Sequence, residues 1–306
     1  MNLPKLRAAE IKPLPMTDGQ PFANSRYFTY GDYKLHYRID EAKGKEKAKM
    51  FMLHGFMCNT EFFNELVEDY TKAGIKCVRL DLPNFGYSVR ESNDIKYVPQ
   101  TEMILALMKE LDPDGTGWIL VGHSMGGSVA LETAMQDASQ LRAVILNAPM
   151  FMANFPKSIG KMLIKKPVLN AFDTMIKYIA DYDILFKVMA FFMTFGPLYS
   201  LKMDANVMSG PFKMEHTGYG LCFMSYRASK PDTSNLAKQL ENVPTQLVLG
   251  GLDMFVLPNV AAKLSKELPA DADRQRIWLG GHCFLQNYHK TTSKMGLKFL
   301  KDRGIL

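Results

Sequence analysis

The feature that most constrains this chain is a short apolar run, Trp118-Ile119-Leu120-Val121, that passes without a spacer into Gly122-His123-Ser124-Met125-Gly126-Gly127. Residues 128–135 then carry a helical pattern. A strand that turns at once into a helix forces the residue between them into a sharp bend, and glycines two places to either side leave room for it. The bend holds the Ser124 hydroxyl away from the backbone. The following amide, that of Met125, then lies at a helix N-terminus, where unpaired N–H groups carry partial positive charge.

The rest of the chain repeats the alternation of short β-rich runs with longer helical patterns, which predicts parallel strands joined by crossover helices. The clearest strands are residues 50–53, 76–80, 118–121, 143–146, 246–249 and 276–279, mostly apolar and so suited to a sheet covered on both faces. Near the N-terminus, residues 26–30 and 33–39 flank the turn dipeptide Gly31-Asp32 and predict an antiparallel hairpin. The expectation is an α/β architecture with a mixed, mostly parallel sheet of about eight strands.

Almost the whole span from residue 148 to 244 is too long for one crossover, so an insertion is expected at 150–234, dividing a core of 26–149 and 235–306 and preceded by an arm at 1–25. Composition changes with it. The insertion holds 10 of the 21 methionines and 14 of the 34 aromatic residues, and sets 10 Lys and Arg against 6 acids. Adaptable Met side chains and broad aromatic rings suit either the core of a helical subdomain or a surface that packs on apolar ligands. Lys157, Lys161, Lys165 and Lys166 alternate with Ile159, Met162, Leu163 and Ile164 at roughly helical spacing. That pattern fits a solvated helix face, and equally one that meets an anionic membrane surface.

A serine hydroxyl needs a base to take its proton, and the base needs a carboxylate to orient it. Strand 246–249 runs into Gly250-Gly251-Leu252-Asp253, and strand 276–279 into Gly280-Gly281-His282. Ser124, Asp253 and His282 therefore all follow strands, at the edge where ligands bind open α/β sheets. They form the candidate catalytic set. Strand 50–53 ends in His54-Gly55-Phe56, so the Phe56 amide joins that of Met125 as a candidate oxyanion donor. Asp81, after strand 76–80, is the reserve acid. His54 and His123 sit inside these motifs and are read as structural, and His36, His216 and His289 belong to no paired pattern.

On these marks, together with Asp81-Leu82-Pro83-Asn84-Phe85-Gly86-Tyr87-Ser88, the chain resembles α/β hydrolases of the monoglyceride lipase, lysophospholipase and carboxylesterase branch over nearly all of residues 26–303. Asn84 stands where that branch usually has glycine, a mild departure because Asn tolerates left-handed backbone. The resemblance implies the α/β-hydrolase fold, a cap formed by the insertion, an acyl-enzyme on Ser124, and neither metal nor organic cofactor. It also gives Asp81 the task of holding a loop. The expected substrate is a small-molecule or lipid-like ester of apolar acyl character. Aminopeptidase-like cleavage, with Asp204 or Glu215 holding the amine, thioesterase activity, and a ligand-binding homologue without catalysis remain open alternatives.

Bulk properties narrow the class. The formal charge of +6 comes without dense Lys and Arg stripes, so no nucleic-acid partner is expected. Cys58, Cys77, Cys222 and Cys283 are far apart and form no Cys-x-x-Cys pair, which fits a reducing compartment. With no secretory apolar segment in the first 25 residues and no apolar stretch of the roughly 20 residues a spanning helix needs, a cytoplasmic enzyme, membrane-associated at most through its cap, is expected.

Overall fold

The computed structural model describes residues 21–150, 157–194 and 235–306, except positions 32, 57, 84, 89–99, 164 and 181. Asp32, Asn84, Asp204, Glu215, His216, Cys222 and most of the arm thus lie outside the described residues. Eight strands form one sheet: β1 Ser25–Tyr30, β2 Tyr33–Asp40, β3 Ala48–Leu53, β4 Ile75–Leu80, β5 Trp118–His123, β6 Leu141–Asn147, β7 Thr245–Gly250 and β8 Asp273–Ile277. Their order across the sheet is β1-β2-β4-β3-β5-β6-β7-β8. The β1–β2 and β2–β4 pairs are antiparallel, and every pairing from β4 to β8 is parallel.

The central strands β3 and β5 are buried along their full length. Alternate residues go to opposite faces, as the two-residue period of a strand requires. Phe51, Leu53, Trp118, Leu120, Val144 and Leu146 join a core shared with helices α2 (Gln100–Glu110) and α3 (Met125–Gln136). Met50, Met52, Ile119, Val121, Ala143 and Ile145 join the opposite core, shared with α1 (Asn64–Lys72) and the last helix, His289–Asp302. The expected helix at 128–135 begins three residues earlier, directly after Ser124.

Among the described residues between β6 and β7 are α4 Lys157–Leu163, α5 Lys166–Ala180, α6 Asp183–Thr194 and the short α7 Leu236–Gln239. Beyond β7 come α8 Pro258–Glu267, α9 Phe284–Asn287 and α10 His289–Asp302. Among the described residues no helix is long and apolar enough to cross a membrane. One strand expectation is corrected. The last strand is Asp273–Ile277, not 276–279, and Trp278 and Leu279 lie in the turn beyond it. An edge strand is covered on one side only, so it tolerates the polar Asp-Arg-Gln-Arg sequence that apolar patterning passes over.

A buried polar clamp ties the antiparallel hairpin to the loop after β4. Asp81 Oδ2 accepts from His36 Nδ1 at 2.7 Å and from the Tyr87 amide at 2.9 Å, and its Oδ1 accepts from the Thr60 amide at 2.6 Å. Ser88 Oγ donates to the Asp81 carbonyl and accepts from the His36 amide. Gly86 has φ +51°, and a Cβ there would stand 2.1 Å from the carboxylate, so both its conformation and its missing side chain are required. Burial alone would raise the Asp81 carboxyl, but the His36 hydrogen bond and charge, with His54 and the Tyr87 amide, outweigh it and hold the group below the usual carboxylate range.

A carboxyl depressed by folding stabilises the fold fully above its unfolded pKa of about 3.9, and this contribution is lost as pH falls through the folded value. Asp81→Asn, which leaves one acceptor oxygen for three donors, should therefore cost about 3 kcal/mol or more at neutral pH. The gap in melting temperature between parent and variant should narrow as pH drops below about 4. A gap that stays constant in thermal melts carried well below about pH 4 contradicts the clamp.

Candidate active site

Four parallel strands deliver the predicted residues to one edge of the sheet. Gly55 and Phe56 follow β3, Ser124 follows β5, Asp253 follows β7 and His282 follows β8. Ser124 has φ 53° and ψ −117°, a conformation disfavoured for a residue with a Cβ. Surrounding backbone enforces it: the Ser124 amide donates to the Asn147 carbonyl at 3.0 Å, and the Ser124 carbonyl accepts from Gly127 and Met150 at 3.0 and 2.9 Å. The nearby glycines are contact points as much as turn formers. A Cβ on Gly122 would lie 2.4 Å from the Gly126 carbonyl oxygen, and one on Gly126 only 2.1 Å from that of Leu53.

The three predicted side chains form one hydrogen-bonded series. His282 Nε2 lies 2.8 Å from Ser124 Oγ, and His282 Nδ1 lies 2.9 Å from Asp253 Oδ2. All three side chains are largely buried. Asp253 Oδ1 also accepts from the Phe255 and Val256 amides at 2.8 and 2.9 Å, which fixes the carboxylate against rotation. Burial would raise this carboxyl too, yet the His282 hydrogen bond and charge and the two amides hold it below the usual range. The group is thus an anion facing the ring N–H across the neutral range.

Asp81 does not reach His282. It ends a second series, Ser25, His36 and Asp81, with Ser25 Oγ 2.7 Å from His36 Nε2. The atom order matches that of the Ser124 series, but all three of these residues are fully buried at 0% exposure, so no substrate meets Ser25.

The two histidines read from sequence as structural make specific contacts with this site. His54 Nδ1 donates to the Gly55 carbonyl at 2.7 Å, and its Nε2 accepts from the Leu82 amide at 3.0 Å. The Gly55 carbonyl also accepts from the Cys58 amide at 3.2 Å. In a trans peptide C=O and N–H point in opposite directions, so pinning the Gly55 carbonyl sets where the Phe56 N–H is aimed. Among the described residues neither the Phe56 nor the Met125 amide has an acceptor. A Cβ on Gly55 would lie 3.2 Å from Ser124 Cβ, so this loop passes directly beside the serine.

His123 Nε2 donates to the His282 carbonyl at 3.0 Å, and its ring stacks on Phe62 with centroids 4.6 Å apart. Burial lowers His123 to about 3, so the ring stays neutral and its Nε2 keeps the proton it donates. Sequence signals for both contacts were limited to position inside a motif, since each partner is backbone from a distant segment. Cys58, by contrast, has its thiol pushed up to about 12 by burial, and Cys283 is raised by the same cause, so neither supplies a thiolate. Among the described residues no group of three His, Cys, Asp or Glu side chains is placed to hold a metal ion.

The chain is similar in sequence and in fold to several known proteins. Mouse protein ABHD14A is 27% identical over 144 residues, 46% of this chain and 57% of that protein. The Xenopus laevis monoacylglycerol lipase abhd6-A is 28% identical over 125 residues, 40% of this chain and 36% of the relative, so the chain matches little more than half or less of either relative's length. A thermophilic esterase from Thermogutta terrifontis superposes with a TM-score of 0.68 at 17% identity, covering 92% of this chain and 99% of that one. The sheet order, the bend at Ser124 and a family match spanning residues 50–286 all lead to one conclusion: the chain belongs to the α/β-hydrolase fold family.

Proposed function

We propose that this α/β hydrolase cleaves carboxylic esters of apolar, lipid-like acyl groups through an acyl-enzyme on Ser124. The reading is carried by the hydrogen-bonded series from Ser124 through His282 to Asp253. Ser124 Oγ attacks the acyl carbon while its proton passes to His282 Nε2, and Asp253 holds the ring and stabilises the imidazolium. The Phe56 and Met125 amides meet the negative oxygen of the tetrahedral intermediate, a contact worth about 3–4 kcal/mol per donor. The C–O bond breaks and the alcohol leaves with the proton from His282. Water, deprotonated by the same nitrogen, then releases the acid and restores Ser124.

The Met- and aromatic-rich composition of residues 150–234 supports the apolar acyl group, with those residues acting as a cap over the site. A monoacylglycerol lipase among the relatives points the same way. The reading also includes a peripheral contact of α4 and α5 with an anionic leaflet. Lys161, Lys165 and Lys166 are exposed there beside Ile159 and Met162, and Asp173 of α5 is buried. Each lysine near such a surface contributes about 1 kcal/mol, so this contact would weaken with salt.

Ser124→Ala should remove p-nitrophenyl ester turnover by several orders of magnitude while leaving the melting temperature nearly unchanged. Activity above about a tenth of the parent's sinks the assignment. Asp253→Asn should lower kcat by roughly ten-thousandfold in a folded protein, whereas Asp81→Asn acts chiefly on stability. A folded, inactive Asp81→Asn beside an active Asp253→Asn would reverse the two roles. Esters of medium or long acyl chains should exceed acetate in kcat/KM, and the absence of any such preference removes the apolar acyl claim.

A further inference from the structure

Six large apolar side chains stand exposed on the loops that carry Asp253 and His282: Leu252 at 38%, Met254 at 55%, Phe255 at 45%, Leu257 at 52%, Trp278 at 73% and Leu279 at 66%. Scattered exposed apolar residues are ordinary, whereas a contiguous group marks an interaction surface. These two loops are joined. The Gly251 amide donates to the Ile277 carbonyl at 2.8 Å and the Leu252 amide to that of Gly280 at 2.9 Å. Gly251 lies so close that a Cβ there would stand 2.1 Å from the Trp278 carbonyl oxygen. The result is a single ridge.

The positioning of His282 uses the backbone of this turn and leaves the Trp278 and Leu279 side chains unused. In residues 251–257 and 276–282, Arg276 is the one exposed charged side chain, and its guanidinium lies 5.4 Å from the Trp278 ring centroid. Helix α6 adjoins the same turn, since the Gly281 and Cys283 amides donate to the carbonyls of Thr194 and Met193. It presents Ile184, Val188 and Phe192 to solvent at four-residue intervals, which is one helix face.

An amphipathic Trp ring backed by Arg, at the tip of an apolar ridge without exposed acid, is the combination that settles at the headgroup level of a bilayer. We propose that the ridge of Trp278 and Leu279 is a lipid-bilayer docking site that places the Ser124 site against the membrane surface. Arg276 would lie among the lipid phosphates. The docking stands apart from the lysine contact of α4 and α5, because apolar insertion is insensitive to salt whereas lysine attraction is screened. The purpose assigned to it, access to esters dissolved in the bilayer, rests on the hydrolase reading above.

The chain carries its own reporter. It has two tryptophans, and Trp118 is fully buried at 0% exposure. The full chain is titrated with phosphatidylcholine vesicles, with and without phosphatidylserine, at low and high salt. Tryptophan emission should move to shorter wavelength and become quenched by brominated acyl chains, and Trp278→Phe should abolish both effects. The double variant Trp278→Gln, Leu279→Gln should bind vesicles about tenfold more weakly or worse at either salt, and cleave a water-soluble acetate ester as the parent does.

Several results overturn the proposal: no emission change with vesicles, unchanged vesicle binding by the double variant, or a change that follows protein concentration without lipid and so reports self-association. Short-wavelength emission from a Trp278 that iodide does not reach before lipid is added also overturns it, because the ridge is then covered by this chain itself. Failure of the hydrolase reading looks different. A protein that shows the shift but cleaves no ester keeps the docking site and loses the chemistry, and one that cleaves esters without the shift does the reverse.

Discussion

The site depends on one close contact, the packing of the start of α3 against the end of β3. Gly126 lies where any Cβ would fall 2.1 Å from the Leu53 carbonyl oxygen and 2.5 Å from that of His54. That approach brings the helix N-terminus and the His54-Gly55-Phe56 loop to the same point, with the strained Ser124 between them. Strain of about 1–3 kcal/mol at such a residue persists only where the surroundings over-determine it. Here the Asn147 carbonyl, the Gly127 and Met150 amides and two buried sheet faces do so. Folding energy from both cores is thereby used to hold one hydroxyl in place.

The two Ser-His-Asp series separate geometry from function. Both are hydrogen-bonded at 2.7–2.9 Å, and both end in a carboxylate held below its usual range. They differ in what lies beside the serine. Ser124 has a helix N-terminus and two amides without acceptors among the described residues, next to the edge where parallel strands end. Ser25 has packed hairpin around it, and its hydroxyl accepts from the Phe22 amide instead. Hydrogen-bond order alone is thus no guide to chemistry, and access together with a place for developing charge is needed.

Much of this architecture was legible in the sequence because central parallel strands are apolar on both faces and end in glycine-bearing turns. The runs at 50–53, 118–121 and 246–249 are such strands, and they led directly to Gly55, Ser124 and Asp253. Where the fold relies on one-sided or polar pairing, the signal fails. Strand β8 is Asp-Arg-Gln-Arg-Ile, and the apolar pair Trp278-Leu279 drew the expectation two residues too far. That error is informative, since two apolar residues read as buried strand are the most exposed of the large apolar side chains among the described residues. The contacts of His54 with Leu82 and of His123 with His282 were invisible for a different reason. Each pairs a side chain with backbone remote in sequence, and no residue pattern encodes that.

The central claim is that Ser124 is the nucleophile, and covalent labelling tests it most directly. The full chain is incubated with a fluorophosphonate probe, digested and mapped by mass spectrometry. The account predicts one adduct, on the peptide containing Ser124, formed in step with the loss of ester turnover and absent when His282 is replaced by Ala. An adduct on another residue, or ester turnover that continues after the Ser124 peptide is fully labelled, would contradict it.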